Sequence, residues 1–340
     1  MAYVVAVVGA TGAVGNEMLR VLESRDFPVG DIRPLASARS AGREVHFHGR
    51  AVPVRELRAD SFQGVDLALF SAGAERSRNF APEAVRAGAL VVDNSSAFRM
   101  QPDVPLVVPE VNPEAANAHR GLIANPNCST IQMVVALRPV REAFGLRRIV
   151  VATYQSVSGT GAGAMRELER GTRAHLDGTT ETPEVYPHPI AFNCLPHIDV
   201  FDAEGNTREE IKMRDETRKI FGDPAIAVVA TCVRVPVYRA HSEAVVAETD
   251  RPVDLAALRQ ALERAPGVVL VDAPGRYPLA REAAGRDEVF VGRLRLQSDD
   301  PRTLAMWVVA DNLRKGAATN AVQIAELVYG IAPRREEVRV

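Results

Sequence analysis

Tyr3-Val4-Val5-Ala6-Val7-Val8-Gly9-Ala10-Thr11-Gly12-Ala13-Val14-Gly15 is the stretch that decides the fold. Residues 3–8 form a short β-branched apolar run, which predicts a buried strand, and a glycine-rich turn follows directly. The next residues place Val14, Met18 and Leu22 at helical spacing. A strand, a glycine turn and a helix in this order predict the first unit of a Rossmann-type domain.

The rest of the first third alternates between strand-like and helical segments. The apolar runs that we predict as strands lie at 32–36, 65–70, 90–93, 106–108 and 122–124. A helical pattern covers 74–87. Such alternation is typical of a parallel sheet that is covered by helices on both faces.

The pattern changes after residue 127, where longer β-type runs appear. They lie at 147–157, 225–238, 243–249, 289–297 and 303–310, with helical patterns at 161–175, 207–221 and 254–264. A final helical pattern, 316–329, is expected to pack back on the first domain. The predicted fold class is therefore α/β, with a discontinuous Rossmann-type parallel-sheet domain, 1–127 with 315–340, for cofactor binding. The remainder, 128–314, is predicted as an α+β catalytic and dimerisation domain with a mixed sheet.

Composition excludes several classes of function. The 41 basic and 43 acidic residues nearly balance, which gives no support to a nucleic-acid or membrane-surface partner. Residues 3–8 are too short to span a bilayer and lack a basic flank. Three cysteines do not make a disulfide framework, so we expect a reducing compartment and a cytoplasmic location.

Cys128 is the candidate nucleophile. It lies in Asn125-Pro126-Asn127-Cys128-Ser129-Thr130, just ahead of an apolar helical run at 131–140. A thiol at a helix start feels the positive end of the helix dipole, which favours the thiolate. A lone cysteine is equally well a small buried hydrophobe. A glycine loop at 9–15 and a possible base at His241 favour the nucleophile, and together predict acyl oxidation or reduction through a thioester. Cys194 and Cys232 lie among apolar neighbours and are interpreted as inert packing.

The end of the second predicted strand indicates the cofactor. An NAD site usually places an acid there, whereas this chain has Ser37-Ala38-Arg39-Ser40. A guanidinium and two hydroxyls suit a 2′-phosphate, so the pattern favours NADP. The alternative interpretations are a solvated surface arginine and, for the loop at 9–15, a plain tight turn.

Nine segments resemble aspartate-semialdehyde dehydrogenase, in order and nearly end to end. The matching motifs are Gly-Ala-Thr-Gly-Ala-Val-Gly (9–15), Phe-Ser-Ala-Gly (70–73), Asp-Asn-Ser-Ser-Ala-Phe-Arg (93–99), Val-Pro-Glu-Val-Asn (108–112), Asn-Pro-Asn-Cys-Ser-Thr (125–130), Tyr-Gln-Ser-Val-Ser-Gly (154–159), Glu-Glu-Ile-Lys (209–212), Arg-Val-Pro-Val-Tyr-Arg-Ala-His-Ser (234–242) and Ala-Asp-Asn-Leu-Arg-Lys-Gly-Ala-Ala-Thr-Asn (310–320).

The resemblance implies a role for each matching position. Cys128 is implied as the nucleophile that forms the acyl-thioester, His241 as the general acid/base, and Gln155 as the residue that orients the acyl group. The cofactor is implied to be NADP, with no metal. The cofactor-binding residues implied are Gly9, Thr11, Gly12, Ala13, Val14, Arg39, Ser40, Ser71, Ser158, Gly159 and Asn312.

The resemblance also implies the substrate contacts. Arg234 would bind the substrate α-carboxylate and Glu209 its amino group, while Arg99 and Lys212 would bind phosphate; Gln155 also contacts substrate. From the residues alone, Arg99 could be a surface charge, and Glu209 and Lys212 could simply pair with each other at i and i+3.

The implied reaction interconverts L-aspartate 4-semialdehyde, phosphate and NADP⁺ with 4-phospho-L-aspartate and NADPH, in lysine (diaminopimelate), threonine and methionine biosynthesis. The broad second sheet predicts a homodimer. The nearest enzyme alternative is N-acetyl-glutamyl-phosphate reductase. An alternative of another class is an inactive binding or scaffold protein, which the intact Cys128, Gln155, Arg234 and His241 disfavour.

Overall fold

In the computed structural model, which describes residues 2–332, the chain divides into two units. Among these residues the first unit consists of 2–126 with 317–332, and the second of 127–316. The predicted domain boundaries, 127 and 315, lie close to these divisions. Residues 333–340 of the predicted C-terminal segment lie outside the described residues.

The strands and helices follow one another along the chain in an α/β order. The strands are β1 Tyr3–Val8, β2 Val29–Ala36, β3 Glu44–Phe47, β4 Arg50–Pro53, β5 Arg55–Glu56, β6 Leu67–Phe70, β7 Leu90–Asp93, β8 Leu122–Ala124, β9 Arg148–Gln155, β10 Ala227–Arg234, β11 His241–Glu248, β12 Val268–Leu270, β13 Val289–Gln297 and β14 Asp300–Ala310. The helices are α1 Ala13–Ser24, α2 Ala74–Arg86, α3 Cys128–Phe144, α4 Ala162–Leu176, α5 Arg208–Phe221, α6 Leu255–Arg264, α7 Ala280–Ala283 and α8 Thr319–Tyr329. Within residues 2–332 no helix combines the length and apolarity needed to cross a bilayer.

The first unit is built on a parallel sheet in the order β5-β2-β1-β6-β7-β8. Its central strands carry fully buried aliphatic side chains, because both faces are covered. The turn after β1 requires glycine at position 9. Gly9 has φ of +89°, and a Cβ there would lie 2.4 Å from the Ser71 carbonyl oxygen.

The predicted strand at 106–108 is wrong. Only an isolated bridge joins Leu106 to Ala124 there. The Asn112 side chain accepts from the Val108 N–H at 2.9 Å and donates to the Leu106 carbonyl at 2.9 Å, so it occupies backbone groups that a neighbouring strand would pair. The small hairpin of β3 and β4 and the short strands β5 and β12 were not predicted from the sequence.

The second unit is built on a mixed sheet in the order β10-β9-β11-β14-β13-β12. The outer pairs β10–β9 and β13–β12 are parallel, and the inner pairs are antiparallel. Helices α3, α5 and α6 cover one face. The last predicted helix begins later than expected, at Thr319, because a π-helical turn, Arg314–Ala318, precedes it.

Candidate active site

Cys128 is the first residue of α3, and Asn127 caps that helix. The Asn127 side-chain oxygen accepts from the Ser129 N–H at 3.0 Å and the Thr130 N–H at 3.3 Å. Cys128 is not part of a disulfide, and it is partly exposed. This placement sets the sulfur at the positive end of the helix, where a thiolate is favoured.

A buried carboxylate, Glu209 on α5, lies beside the nucleophile. Its Oε1 accepts from Asn127 Nδ2 at 2.9 Å and Gln155 Nε2 at 3.2 Å, while Lys212 Nζ lies 3.2 Å from Oε2. Burial alone would raise the pKa of Glu209, but Lys212 and the two amide donors hold that pKa below its ordinary value. The carboxylate is therefore ionised and can bind a cation such as a substrate ammonium.

The helix that carries Glu209 and Lys212 is fixed at its start by a capping box. The Thr207 hydroxyl accepts from the Glu210 N–H, and the Glu210 carboxylate accepts from the Thr207 N–H at 2.7 Å. Lys212 also pairs with Asp199 at 2.9 Å. The pairing of Glu209 with Lys212 at i and i+3, which the sequence left open, is thus present, and Lys212 lies between two carboxylates.

Arg234 and His241 are brought together at the end of β10 and the start of β11. Arg234 Nη1 donates to the Ser156 carbonyl at 2.8 Å. A Cβ on Gly159 would lie 3.1 Å from Arg234 Nη1 and 3.5 Å from His241 Nε2, so glycine leaves room for both side chains. His241 is fully buried, and its Nδ1 accepts from the Ser156 N–H at 3.0 Å.

Asn312 joins these segments. Its Oδ1 accepts from Ser156 Oγ at 3.1 Å, Ser158 Oγ at 3.0 Å and the Ala240 N–H at 3.0 Å. Ala240 has φ of 72°, a left-handed conformation that is strained for a residue with a Cβ. The hydrogen bond from the Ala240 N–H to Asn312 holds Ala240 in that conformation, immediately before His241.

The glycine loop and its neighbours lie in the first unit. Gly12 is the cap residue of α1, and within this described segment neither a capping side chain nor a first-turn acid occupies the helix start. The N–H groups around Thr11, Ala13 and Val14 therefore remain suited to an anion. Arg39 and Ser40 lie in a 3₁₀ turn directly after β2, and Arg39 is exposed.

Arg99 also lies in the first unit, at the carboxyl end of the parallel sheet. It is buried rather than a surface charge. Its Nε donates to the Asn125 carbonyl at 2.9 Å, and Nη2 to the Asn94 carbonyl at 2.8 Å. Asn94 and Asn125 follow β7 and β8, so Arg99 lies at the edge where ligands of parallel sheets bind.

Eight of the proposed site residues lie with Cys128 in the second unit: Gln155, Ser158, Gly159, Glu209, Lys212, Arg234, His241 and Asn312. Asn127 and Ser156 also belong to the site, although no role was predicted for them and both lie inside the motifs 125–130 and 154–159. The prediction that Cys194 is packed inside is wrong, since that thiol is exposed at the surface, whereas Cys232 is buried.

Residues 2–332 contain no cluster of three or more His, Cys, Asp or Glu side chains arranged to hold a metal ion. The side chains around Cys128 supply a thiol, an imidazole, two carboxylates and two cationic groups.

Comparison with known proteins divides the chain into two matching domains. Residues 4–119 match the family model described as semialdehyde dehydrogenase, NAD binding domain, and residues 137–315 match semialdehyde dehydrogenase, dimerisation domain. The chain is 54% identical over 335 residues to aspartate-semialdehyde dehydrogenase of Aquifex aeolicus, covering 96% of this chain and 98% of that protein. It is 51% identical over 332 residues to the Bacillus subtilis protein of the same name, covering 95% and 96%.

Solved structures agree with this similarity. Aspartate semialdehyde dehydrogenase II of Vibrio cholerae, complexed with ASA, superposes with a TM-score of 0.95 at 50% identity, covering 97% of this chain and 99% of that one. The Candida albicans enzyme with NADP superposes with a TM-score of 0.76 at 26% identity, covering 98% and 100%.

Proposed function

The chain belongs to the aspartate-semialdehyde dehydrogenase family, and on that basis we propose that it interconverts L-aspartate 4-semialdehyde and 4-phospho-L-aspartate with NADP and phosphate. The observation that carries the proposal is the arrangement around Cys128, whose helix is capped by Asn127. The same unit contains Gln155, Glu209, Arg234 and His241. The relatives at about half identity favour this substrate over that of N-acetyl-glutamyl-phosphate reductase.

Each charged group matches one end of the proposed substrate. The ionised Glu209 carboxylate suits the α-ammonium group, and the buried Arg234 guanidinium suits the α-carboxylate. Between them Gln155, held by Glu209, can orient the aldehyde carbon toward Cys128. Attack by the thiolate makes that carbon tetrahedral, and loss of hydride then leaves a thioester on Cys128.

The first unit offers a site for the nicotinamide cofactor, which supplies the hydride acceptor when bound. The uncapped start of α1 suits a pyrophosphate, and Gly9 and Gly12 allow close backbone approach. We propose NADP rather than NAD because the turn after β2 carries the exposed Arg39 and the half-buried Ser40. The NADP complex of the Candida albicans relative supports this choice.

We propose that Lys212 brings phosphate to the thioester and that Arg99, in the first unit, also binds phosphate. A cationic side chain suits an anion, and attack by phosphate releases an acyl phosphate. In this structure Lys212 is shared between Asp199 and Glu209, so phosphate would have to compete for its ammonium group. A place in lysine, threonine and methionine synthesis follows from the product. None of the three cysteines forms a disulfide, which supports a cytoplasmic location as part of the proposal.

A single assay tests the proposed function. Enzyme, NADP⁺ and aspartate semialdehyde without phosphate should give at most one NADPH per active site and then slow turnover. Adding phosphate should restore steady turnover, with an acyl phosphate as product. Rapid repeated turnover without phosphate, yielding aspartate, would show that water resolves the thioester and would overturn the proposal.

We also propose a homodimer formed through the open face of the second sheet. On this face Tyr154 and Val229 are 40% and 50% exposed, and Trp307 lies against Tyr154 with ring centroids 5.4 Å apart. Alternate residues on the same strands are buried under α3, α5 and α6. A half-exposed apolar sheet face of this kind is typical of an interface. Sedimentation of the wild type and Val229→Asp would test it, since the charge should favour monomers.

A further inference from the structure

The turn between β14 and α8 lies directly against the candidate nucleophile. A Cβ placed on Gly316 would be 2.8 Å from the Cβ of Cys128 and 3.2 Å from its Cα. Non-bonded carbon atoms pack at about 3.5–4.0 Å, so an alanine here would have to push the two residues apart by roughly 0.7 Å. Both atoms of Cys128 belong to the first residue of α3, and neither is the end of a flexible side chain. Glycine therefore fits at position 316 without moving the nucleophile, and a residue with a Cβ does not.

This close approach is made by a π-helical turn, Arg314–Ala318. The Gly316 N–H donates to the Asp311 carbonyl, five residues earlier, at 3.0 Å, which is the wider hydrogen-bond spacing of a π-helix. Isolated turns of this kind occur mostly inside or beside α-helices and frequently at functional sites. The turn precedes α8 and carries its one glycine at the position that faces Cys128.

Asp311 fixes the turn through a fully buried carboxylate. Its Oδ1 accepts from the Leu313 N–H at 2.9 Å and the Arg314 N–H at 3.2 Å, so this oxygen holds the residues that begin the turn. Its Oδ2 accepts from the Gly285 N–H at 2.6 Å and from Arg239 Nε at 2.5 Å. A single carboxylate therefore joins the turn to the segment before β11 and to the segment before β13.

We propose that Gly316 is a positioning residue for the reaction: the π-helical turn fixes the Cβ of Cys128, and so the direction of its sulfur, while Asp311 holds the turn. The inference rests on the proposed function only in taking Cys128 as the nucleophile. Asn127 fixes the start of α3 through its cap, whereas Gly316 fixes the first side chain on that helix. A misplacement of about 1 Å at a reacting atom can cost 10²-fold in rate, so this contact affects catalysis as well as packing.

Alkylation tests the position of the thiol without any turnover. At neutral pH, iodoacetamide should modify Cys128 in Gly316→Ala about two- to fivefold more slowly than in the wild type, because a displaced sulfur loses part of the stabilisation that a helix start gives to a thiolate. The exposed Cys194 is the internal reference, and mass spectrometry of the two peptides gives the ratio of their rates. Gly163→Ala is the matched control, since a Cβ there would meet only Val185, at 3.7 Å. An unchanged or faster reaction of Cys128 in folded Gly316→Ala would overturn the inference.

Loss of folding must be separated from displacement of the thiol. The fluorescence of Trp307, the single tryptophan, reports whether the second unit of each variant is folded. Asp311→Asn adds no bulk and serves as a second variant if Gly316→Ala does not fold. Its amide nitrogen cannot accept from Gly285 and Arg239, so the turn should loosen and Cys128 should again react more slowly relative to Cys194. An unchanged ratio of rates in folded Asp311→Asn would then overturn the inference.

Kinetics supply a second measurement of the same contact. In Gly316→Ala, kcat with aspartate semialdehyde should fall at least about tenfold, while the Kd for NADPH stays unchanged. A merely structural role would lower Tm and leave kcat intact well below Tm, and that result would overturn the inference. Inactivity of the wild type on this substrate would refute the proposed function alone, and the alkylation comparison would still decide whether Gly316 positions the thiol.

Discussion

Replacing Asn127 by alanine should lower the free energy of unfolding of the second unit by more than the loss of an ordinary helix cap does. In the wild type, the side-chain oxygen of Asn127 accepts from the Ser129 and Thr130 N–H groups, and its side-chain nitrogen donates to the Glu209 carboxylate. Losing a cap costs about 0.5–2 kcal/mol. Losing a hydrogen bond to a charged group costs roughly a further 1.5–3 kcal/mol, because Glu209 stays buried and ionised.

Asp254→Ala is the matched control. Asp254 caps α6 in the same way, accepting from the N–H groups of Ala256 at 2.8 Å and Ala257 at 3.4 Å, but it holds no buried carboxylate. The two variants should therefore differ by about 1.5–3 kcal/mol, the part that belongs to Glu209. In a unit of this size that difference corresponds to roughly 3–12 °C in Tm.

The assay follows the single tryptophan, Trp307 on β14, which reports on the second unit alone. Thermal unfolding by its fluorescence should place Asn127→Ala below Asp254→Ala, and kcat should fall only in the first variant. Equal shifts of the Trp307 transition in the two variants would refute the claim that Asn127 holds Glu209 in place.

Other substitutions should separate the roles of the remaining residues. Cys128→Ala should abolish turnover while NADPH binding, followed by its fluorescence, persists. Arg39→Ala should raise the KM for NADP⁺ at least tenfold and that for NAD⁺ little, since a charge-assisted contact is worth about 1.5–3 kcal/mol; equal effects on both cofactors would exclude a phosphate contact. Lys212→Ala should raise the KM for phosphate in steady-state assays. Glu243→Gln should be stabilising at neutral pH: burial raises the pKa of Glu243 well above its ordinary value, and Gln132 only partly opposes this. The folded wild type must then retain a proton that the unfolded chain releases above about pH 4.3, so the gain in Tm should appear at pH 8 and vanish near pH 4.

Much of the fold could be predicted because its signals are local. The run 3–15 specifies strand, turn and helix by hydrophobic spacing and by a glycine that no other residue can replace at φ of +89°. The stretch 106–108 has the same apolar character as a strand. It fails as one because a side chain six positions later, Asn112, takes its backbone partners, and hydrophobic spacing carries no such information.

The candidate site was predictable as a set of residues but not as a network. Cys128 could be predicted because the signals for the start of its helix lie in the residues next to it. The role of Asn312 could not be read from its neighbours, since its hydrogen-bond partners at Ser156, Ser158 and Ala240 lie more than 70 positions away. Such partners are specified by the register of β9, β11 and β14 and not by local spacing.

The discontinuity of the first unit has a consequence for the order in which the protein acquires its structure during synthesis. Helix α8 supplies Ala321, Val322, Ile324 and Ala325 to the core that also contains Val5 and Leu19. The ribosome makes that helix only after the whole second unit, about 190 residues, which takes roughly 10–40 s at 5–20 residues per second. Throughout that interval the nascent Rossmann sheet has an incomplete core, while the catalytic unit behind it can already fold. The part of the chain that is translated first is therefore the part that finishes folding last.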